Sequence, residues 1–139
     1  MQHLKEIMTS PVATVAPDTS LTDVARKMLA LDIGLLPVSN GREIVGIISD
    51  RDITIRAVAK GMDPWSTAVQ EVMTKEVITC PVESDVKSAC SLMEEKQVRR
   101  LLLMDGDDSP VGIISLGDIA LHLRREQAGG VLNKVSQPG

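Results

Sequence analysis

The chain is written twice, and that duplication limits its possible folds more than any other feature. Leu4-Lys5-Glu6-Ile7-Met8-Thr9 is echoed 65 positions later by Val69-Gln70-Glu71-Val72-Met73-Thr74. Val12-Ala13-Thr14 returns as Val77-Ile78-Thr79, and Leu21, Met28 and Ile33 fall on Val86, Met93 and Val98 at the same spacing. Gly46-Ile47-Ile48-Ser49-Asp50-Arg51-Asp52-Ile53 returns as Gly112-Ile113-Ile114-Ser115-Leu116-Gly117-Asp118-Ile119 at a spacing of 66, so the second copy carries one extra residue near Asp105 to Pro110. A repeat covering nearly the whole chain predicts an internally duplicated protein with pseudo-two-fold symmetry.

Each copy predicts the same elements. Thr9 to Thr14 reads as a turn into an extended segment closed by Pro17. Ser20 opens a helix as N-cap, with Asp23 as its capping-box partner. Leu21, Val24, Ala25, Met28 and Leu29 then give that helix one apolar face to about Leu31. Leu35–Ser39 and Glu43–Ile48 read as strands joined through Asn40-Gly41, a strong hairpin signal. A helix from Asp50 to about Lys60 stops at Gly61. The second copy follows suit, with a short helix near Thr67 to Met73, an extended piece at Val77–Thr79 and a helix from Asp85 to Lys96. Strands at Arg100–Met104 and Val111–Ser115 and a helix from Leu116 to about Arg125 complete it. The expected boundaries are residues 4–61 for repeat one, 62–67 for a linker, 68–125 for repeat two and 126–139 for a mobile tail, whose Val131, Leu132 and Val135 could dock as a short amphipathic turn. The fold class is α/β of the α+β type: two tandem β-α-β-β-α repeats. Each is too small to bury both faces of its sheet, so the two are expected to pack sheet to sheet.

Composition removes several functions. Trp65 is the only aromatic residue, so the core is aliphatic and a planar ligand would lie against aliphatic side chains and backbone. A net charge of −4 argues against general nucleic-acid binding, which needs a cationic surplus. No apolar run reaches membrane-spanning length and no signal-peptide layout opens the chain, so a cytoplasmic protein is expected. Cys80 and Cys90 lack a C-x-x-C arrangement and read as free thiols. His3 and His122 lack metal-ligand spacing with either cysteine and read as surface residues. No nucleophile triad, P-loop or dinucleotide fingerprint is present. The acidic pairs Asp50/Asp52 and Asp107/Asp108 could hold a metal, but turns use aspartates routinely. The expectation is therefore no enzyme, no catalytic residue and no metal.

The motifs resemble the CBS domain family, named for cystathionine β-synthase, over residues 4–124 as two tandem copies. Its marks are Met8-Thr9 and Met73-Thr74, the strands Ile33-Gly34-Leu35-Leu36-Pro37-Val38 and Val98-Arg99-Arg100-Leu101-Leu102-Leu103, and the closing Gly-Ile-Ile-Ser-x-x-Asp-Ile. Small stand-alone bacterial proteins made of one CBS pair are the most similar. The resemblance implies two clefts that in many members bind AMP, ADP, ATP or S-adenosylmethionine. By that resemblance the first cleft would use Thr9, Ala13, Ile33, Gly34, Leu35, Ser115, Gly117 and Asp118. The second would use Thr74, Ile78, Val98, Arg99, Arg100, Ser49, Arg51 and Asp52. A carboxylate at a helix start can accept from both ribose hydroxyls, and the arginines make one charged ligand more plausible than two equal sites.

Simpler readings stand beside these. Ser49/Asp52 and Ser115/Asp118 can be helix caps alone, and Arg99/Arg100 a solvated edge or a dimer salt bridge. Arg124-Arg125 reads as a complement to a helix C-terminus, and Thr14 and Thr79 as strand-end packing. The resemblance also implies a homodimer formed through helices, with Ile53, Ala57 and Leu121 as contact candidates, and with no catalytic or output domain attached any regulated partner is expected to be a separate protein. Two functions follow: a non-catalytic sensor of an adenosyl ligand, or a structural and dimerisation module that binds no nucleotide.

Overall fold

The computed structural model describes residues 3–106 and 109–135, with side chains as far as residue 128. It divides into two compact units, Val12–Val77 and a second made of Met1–Pro11 with Ile78–Gly139. These units cut across the sequence repeats. The opening turn of repeat one belongs to the unit that holds the body of repeat two, and the opening turn of repeat two belongs to the unit of repeat one. Leu4 is accordingly buried in the second unit's core, and its counterpart Val69 in the first unit's core. The single turns at Leu4–Glu6 and Val69–Glu71 are 3₁₀-helical rather than α-helical.

In the first unit, α1 (Leu21–Leu31) begins where the Ser20 side chain accepts a hydrogen bond from the Asp23 amide at 3.1 Å and ends at Asp32, which takes the left-handed conformation at φ 54°. Leu21, Val24 and Met28 form its buried stripe. The predicted face also included Ala25 and Leu29, but both are exposed, Leu29 at 82%. The inward arc is narrower than the apolar pattern suggested. Strands β1 (Leu35–Ser39) and β2 (Ile44–Ser49) pair antiparallel across Asn40-Gly41. Asn40 Oδ1 accepts from the amides of Arg42 and Glu43, and Gly41 sits at φ 97°, where a side chain would strain the turn. The extended segment expected before α1 is not a strand in this unit; only Val15 pairs, with Val38. Asp50–Asp52 forms a first α-turn, α2, and the chain then widens into a π-helical stretch over Ile53–Val58 in place of the regular helix expected to Lys60. Val15, Leu21, Val24, Met28, Leu36, Val38, Ile48, Ala57, Val69 and Val72 make the core.

The second unit repeats the plan with a complete first strand. β3 (Thr79–Pro81) runs parallel to β4 (Arg100–Met104), which pairs antiparallel with β5 (Pro110–Ser115). α3 (Val86–Lys96) is capped by Asp85, whose carboxylate accepts from the Ser88 amide at 2.8 Å, and ends at Gln97 with φ 55°. Hydrogen bonding from the Ser88 amide, then the Ser88 side chain, holds the Asp85 carboxyl below its ordinary value of 3.8. The core comprises Leu4, Cys80, Val82, Ala89, Met93, Leu101, Leu103, Ile114 and Ile119. Cys80 and Cys90 are both free thiols, as expected. α4 (Leu116–Val135) continues well past the end expected near Arg125, through much of the stretch read as a mobile tail. Gly129-Gly130 lies within it, and each glycine costs only roughly 1 kcal/mol against alanine, too little to end a helix by itself. The docking role considered for Val131, Leu132 and Val135, the end of the tail at 136–139 and the pair Asp107/Asp108 lie outside the described side chains.

Candidate functional site

Each unit places a serine at the end of a strand and an aspartate three residues later. In the first unit the Asp52 amide donates to Ser49 Oγ at 3.0 Å, and the Ser49 amide donates to Asp52 Oδ2 at 3.0 Å. In the second unit the Asp118 amide donates to Ser115 Oγ at 2.9 Å, and the Ser115 amide donates to Asp118 Oδ2 at 3.2 Å. Both turns are thus closed capping boxes. Capping commits only one oxygen of each carboxylate. A carboxylate has about four acceptor positions, so capping and ligand contact are compatible. Ser49 is buried, while Asp52, Ser115 and Asp118 are half-buried.

A threonine lies alongside each turn. Thr74 exchanges both backbone hydrogen bonds with Ile47, at 2.9 Å each, two residues before Ser49. Thr9 does the same with Ile113, at 2.9 and 3.1 Å, two residues before Ser115. The glycine opening each motif makes this approach possible. A Cβ on Gly46 would stand 2.6 Å from Met73 Sδ and 2.8 Å from the Thr74 carbonyl oxygen, and one on Gly112 would overlap Met8. The methionine of each Met-Thr pair therefore fills the space that the glycine leaves open. Sequence reading noted both motifs without seeing that they are two halves of one contact.

The remaining predicted residues divide between the units. Ala13, Ile33, Gly34 and Leu35 are in the first unit with Thr74, Ser49, Arg51 and Asp52. Ile78, Val98, Arg99 and Arg100 are in the second with Thr9, Ser115, Gly117 and Asp118. Leu35 is buried at 8%. Arg51, Arg99 and Arg100 are exposed, and no ion pair forms on any of them among the described residues. A backbone junction recurs too. The Asp50 amide donates to the Gly34 carbonyl at 2.9 Å, and the Leu116 amide donates to the Arg99 carbonyl at 2.8 Å. The same corner carries a carboxylate in one unit and a guanidinium in the other. A Cβ on Gly34 would stand 2.8 Å from Asp50 Oδ2, the tip of an exposed side chain that can swing aside, so the glycine fits this carboxylate without being demanded by the backbone.

Sequence reading missed an open pocket of about 450 Å³ in the first unit, whose lining combines apolar residues such as Met28, Leu29 and Ile53 with Asp32, Gly34 and Asp50. It also missed Arg56. Of the dimer-contact candidates, Ala57 is core, 1% exposed, and it is Ile55 and Val58 that face outward, with Leu121. Trp65 is exposed and stacks with Arg26, 4.8 Å from the guanidinium to the ring centroid. Among the described residues no group of three His, Cys, Asp or Glu side chains could hold a metal ion, and no helix is long and apolar enough to cross a membrane.

The CBS domain family model matches residues 4–58 and again 69–125. The chain belongs to the CBS domain family. As a CBS pair it is 36% identical over 137 residues to the CBS domain-containing protein YhcV of Bacillus subtilis, covering 98% of this chain and 96% of that one. Its structure is similar to that of Hypoxic Response Protein I with two coordinated zinc ions, whose namesake in sequence is from Mycobacterium tuberculosis. That likeness has a TM-score of 0.70 at 32% identity, over 88% of this chain and 99% of the other. It is also similar to the CBS domain pair of protein MJ0100 in complex with 5′-methylthioadenosine and S-adenosyl-L-methionine. There the TM-score is 0.78 at 25% identity, over 90% and 98% of the two chains.

Proposed function

We propose that this CBS pair is a non-catalytic, cytoplasmic regulatory module that binds an adenosyl ligand, drawn from AMP, ADP, ATP and S-adenosylmethionine, and signals to a separate protein. The observation that carries the reading is the duplicated turn in which a half-buried carboxylate spends one oxygen on its own cap. Asp118 Oδ1 has no partner among the described residues. An acceptor held this way at a helix start suits a pair of vicinal ribose hydroxyls, with the serine or the adjacent threonine as a further contact. Arg51, Arg99 and Arg100 supply the positive charge for a phosphate. A family member of the same fold, the CBS pair of MJ0100, is complexed with two adenosyl compounds, which supports this ligand class. Ligand binding regulates only if it favours one arrangement of the chain over another, because equal affinity for both shifts nothing.

The test is a thermal-shift titration with AMP, ADP, ATP and S-adenosylmethionine, with GTP as control. One adenosyl ligand should raise the midpoint, by about 2.7 kcal/mol of stabilisation at a hundredfold excess over its Kd. Flat curves at millimolar ligand would reject the reading. The outward Leu29, which lines the open pocket, and the outward Ile55 and Val58 favour a second role, self-association through the helices. Flat titrations with a stable dimer in sedimentation would leave that interaction role as the function.

A further inference from the structure

Arg56 lies on the π-helical stretch, four residues beyond Asp52. Its Nη1 donates to the carbonyl oxygens of Val72 and Met73, at 3.2 and 3.3 Å. Its Nε stands 3.9 Å from Asp52 Oδ1, the oxygen that the capping box leaves uncommitted. One guanidinium therefore spans two parts of the same turn: the carboxylate that would meet the ribose, and the two carbonyls immediately before Thr74. Asp52 is 16% exposed by side chain and Arg56 46%, so the pair is screened on the carboxylate side and reached by water on the other. In the second unit the corresponding residue is His122, and it stands 3.4 Å from Glu126 along its own helix. Asp118 has no ion pair among the described residues.

We infer that Arg56 is a positioning residue for ribose recognition at the Ser49–Asp52 turn, holding Asp52 Oδ1 and the Met73–Thr74 segment at a set spacing. The inference rests on the adenosyl reading above. A planar, permanently charged fork can hold a carboxylate and a pair of carbonyls at once, which an ammonium does less well. The consequence is an asymmetry that the duplicated motif conceals: among the described residues the Asp52 turn is braced by a fixed cation and the Asp118 turn is not.

The test compares adenosine with 2′-deoxyadenosine by calorimetry in the wild type, Arg56→Gln, Arg56→Lys, Asp52→Asn and the Arg56→Gln/Asp52→Asn double variant. The wild type should prefer adenosine. Arg56→Gln should reduce that preference by up to about tenfold, the scale of one net hydrogen bond. Arg56→Lys should restore part of it, and the Arg56→Gln effect should vanish in the Asp52→Asn background. A general loosening of the fold would weaken both nucleosides alike and leave their ratio in place. An unchanged ratio in Arg56→Gln, or an effect that persists without Asp52, overturns the role of Arg56 and leaves the adenosyl reading standing. If the wild type binds neither nucleoside, the same ratio is read between AMP and 2′-deoxy-AMP, and a wild type that binds neither of these as well fails the adenosyl reading and this inference with it. Should Arg56→Gln not fold, the ratio in Arg56→Lys decides, an undiminished preference overturning the inference.

Discussion

The Ser49–Asp52 and Ser115–Asp118 turns have the same backbone and different chemistry. Both close a capping box, both run alongside a threonine, and both rest on a glycine filled by a methionine. Between serine and aspartate, however, one carries Asp50-Arg51 and the other Leu116-Gly117, and Arg56 in one answers to His122 in the other. What both copies keep are contacts that set geometry. What differs are the charges around that geometry. Duplication has preserved a scaffold for an acceptor carboxylate while allowing its two surroundings to diverge.

The comparison can be broken first at the cores. Leu36 and Leu101 occupy corresponding places and are 0% and 1% exposed. Leu36→Ala and Leu101→Ala should each cost about 2–5 kcal/mol in denaturant unfolding. If only one matters, the two cores are not equivalent supports. The glycine–methionine contacts sharpen the point. Gly46→Ala and Gly112→Ala should each destabilise by about 1–3 kcal/mol through overpacking. Met8→Ala should relieve most of the Gly112→Ala loss. Met73→Ala should relieve less of the Gly46→Ala loss, because the Thr74 carbonyl remains 2.8 Å from the new methyl group. Equal rescue on both sides would contradict that geometry.

The caps come next. Ser49→Ala and Ser115→Ala should each lower stability by about 1 kcal/mol, read by chemical denaturation. Smallest is a pH effect that separates α1 from α3, capped by Ser20 and Asp85 respectively. The Asp85 carboxyl is held low by the Ser88 hydrogen bonds. Its contribution is therefore complete above its ordinary value of 3.8 and is lost as pH falls through the lower folded value. Asp85→Ser should flatten the acid limb of the melting temperature against pH, whereas Ser20 lends no such limb. An unchanged acid limb in Asp85→Ser would remove this distinction.

Much of this was legible in the chain. The Ser20 cap, the Asn40-Gly41 hairpin and the Ser-x-x-Asp turns are local, so a few neighbouring residues specify them. The exchange of opening turns was not, because Leu4 and Val69 show the same apolar pattern whichever core receives them. Leu29 and Ala57 show the limit of periodicity, which reports apolar character without telling which part of the arc faces inward. Arg56 was only half visible: its i,i+4 spacing from Asp52 is an ion-pair signal that the sequence offers. Its partners Val72 and Met73 are reached through backbone carbonyls, which every residue type offers, so no side-chain pattern marks the contact.

The central claim is that these turns hold an adenosyl ribose. The most direct measurement is isothermal calorimetry of S-adenosylmethionine and AMP against the wild type, Asp52→Asn, Asp118→Asn and the double variant. The account predicts binding in the wild type, loss of a site or of affinity in each single variant, and none in the double variant, with all four chains folded. Undiminished binding by a folded double variant would contradict it, and so would a wild-type chain that releases no heat with either ligand and shows no shift on melting.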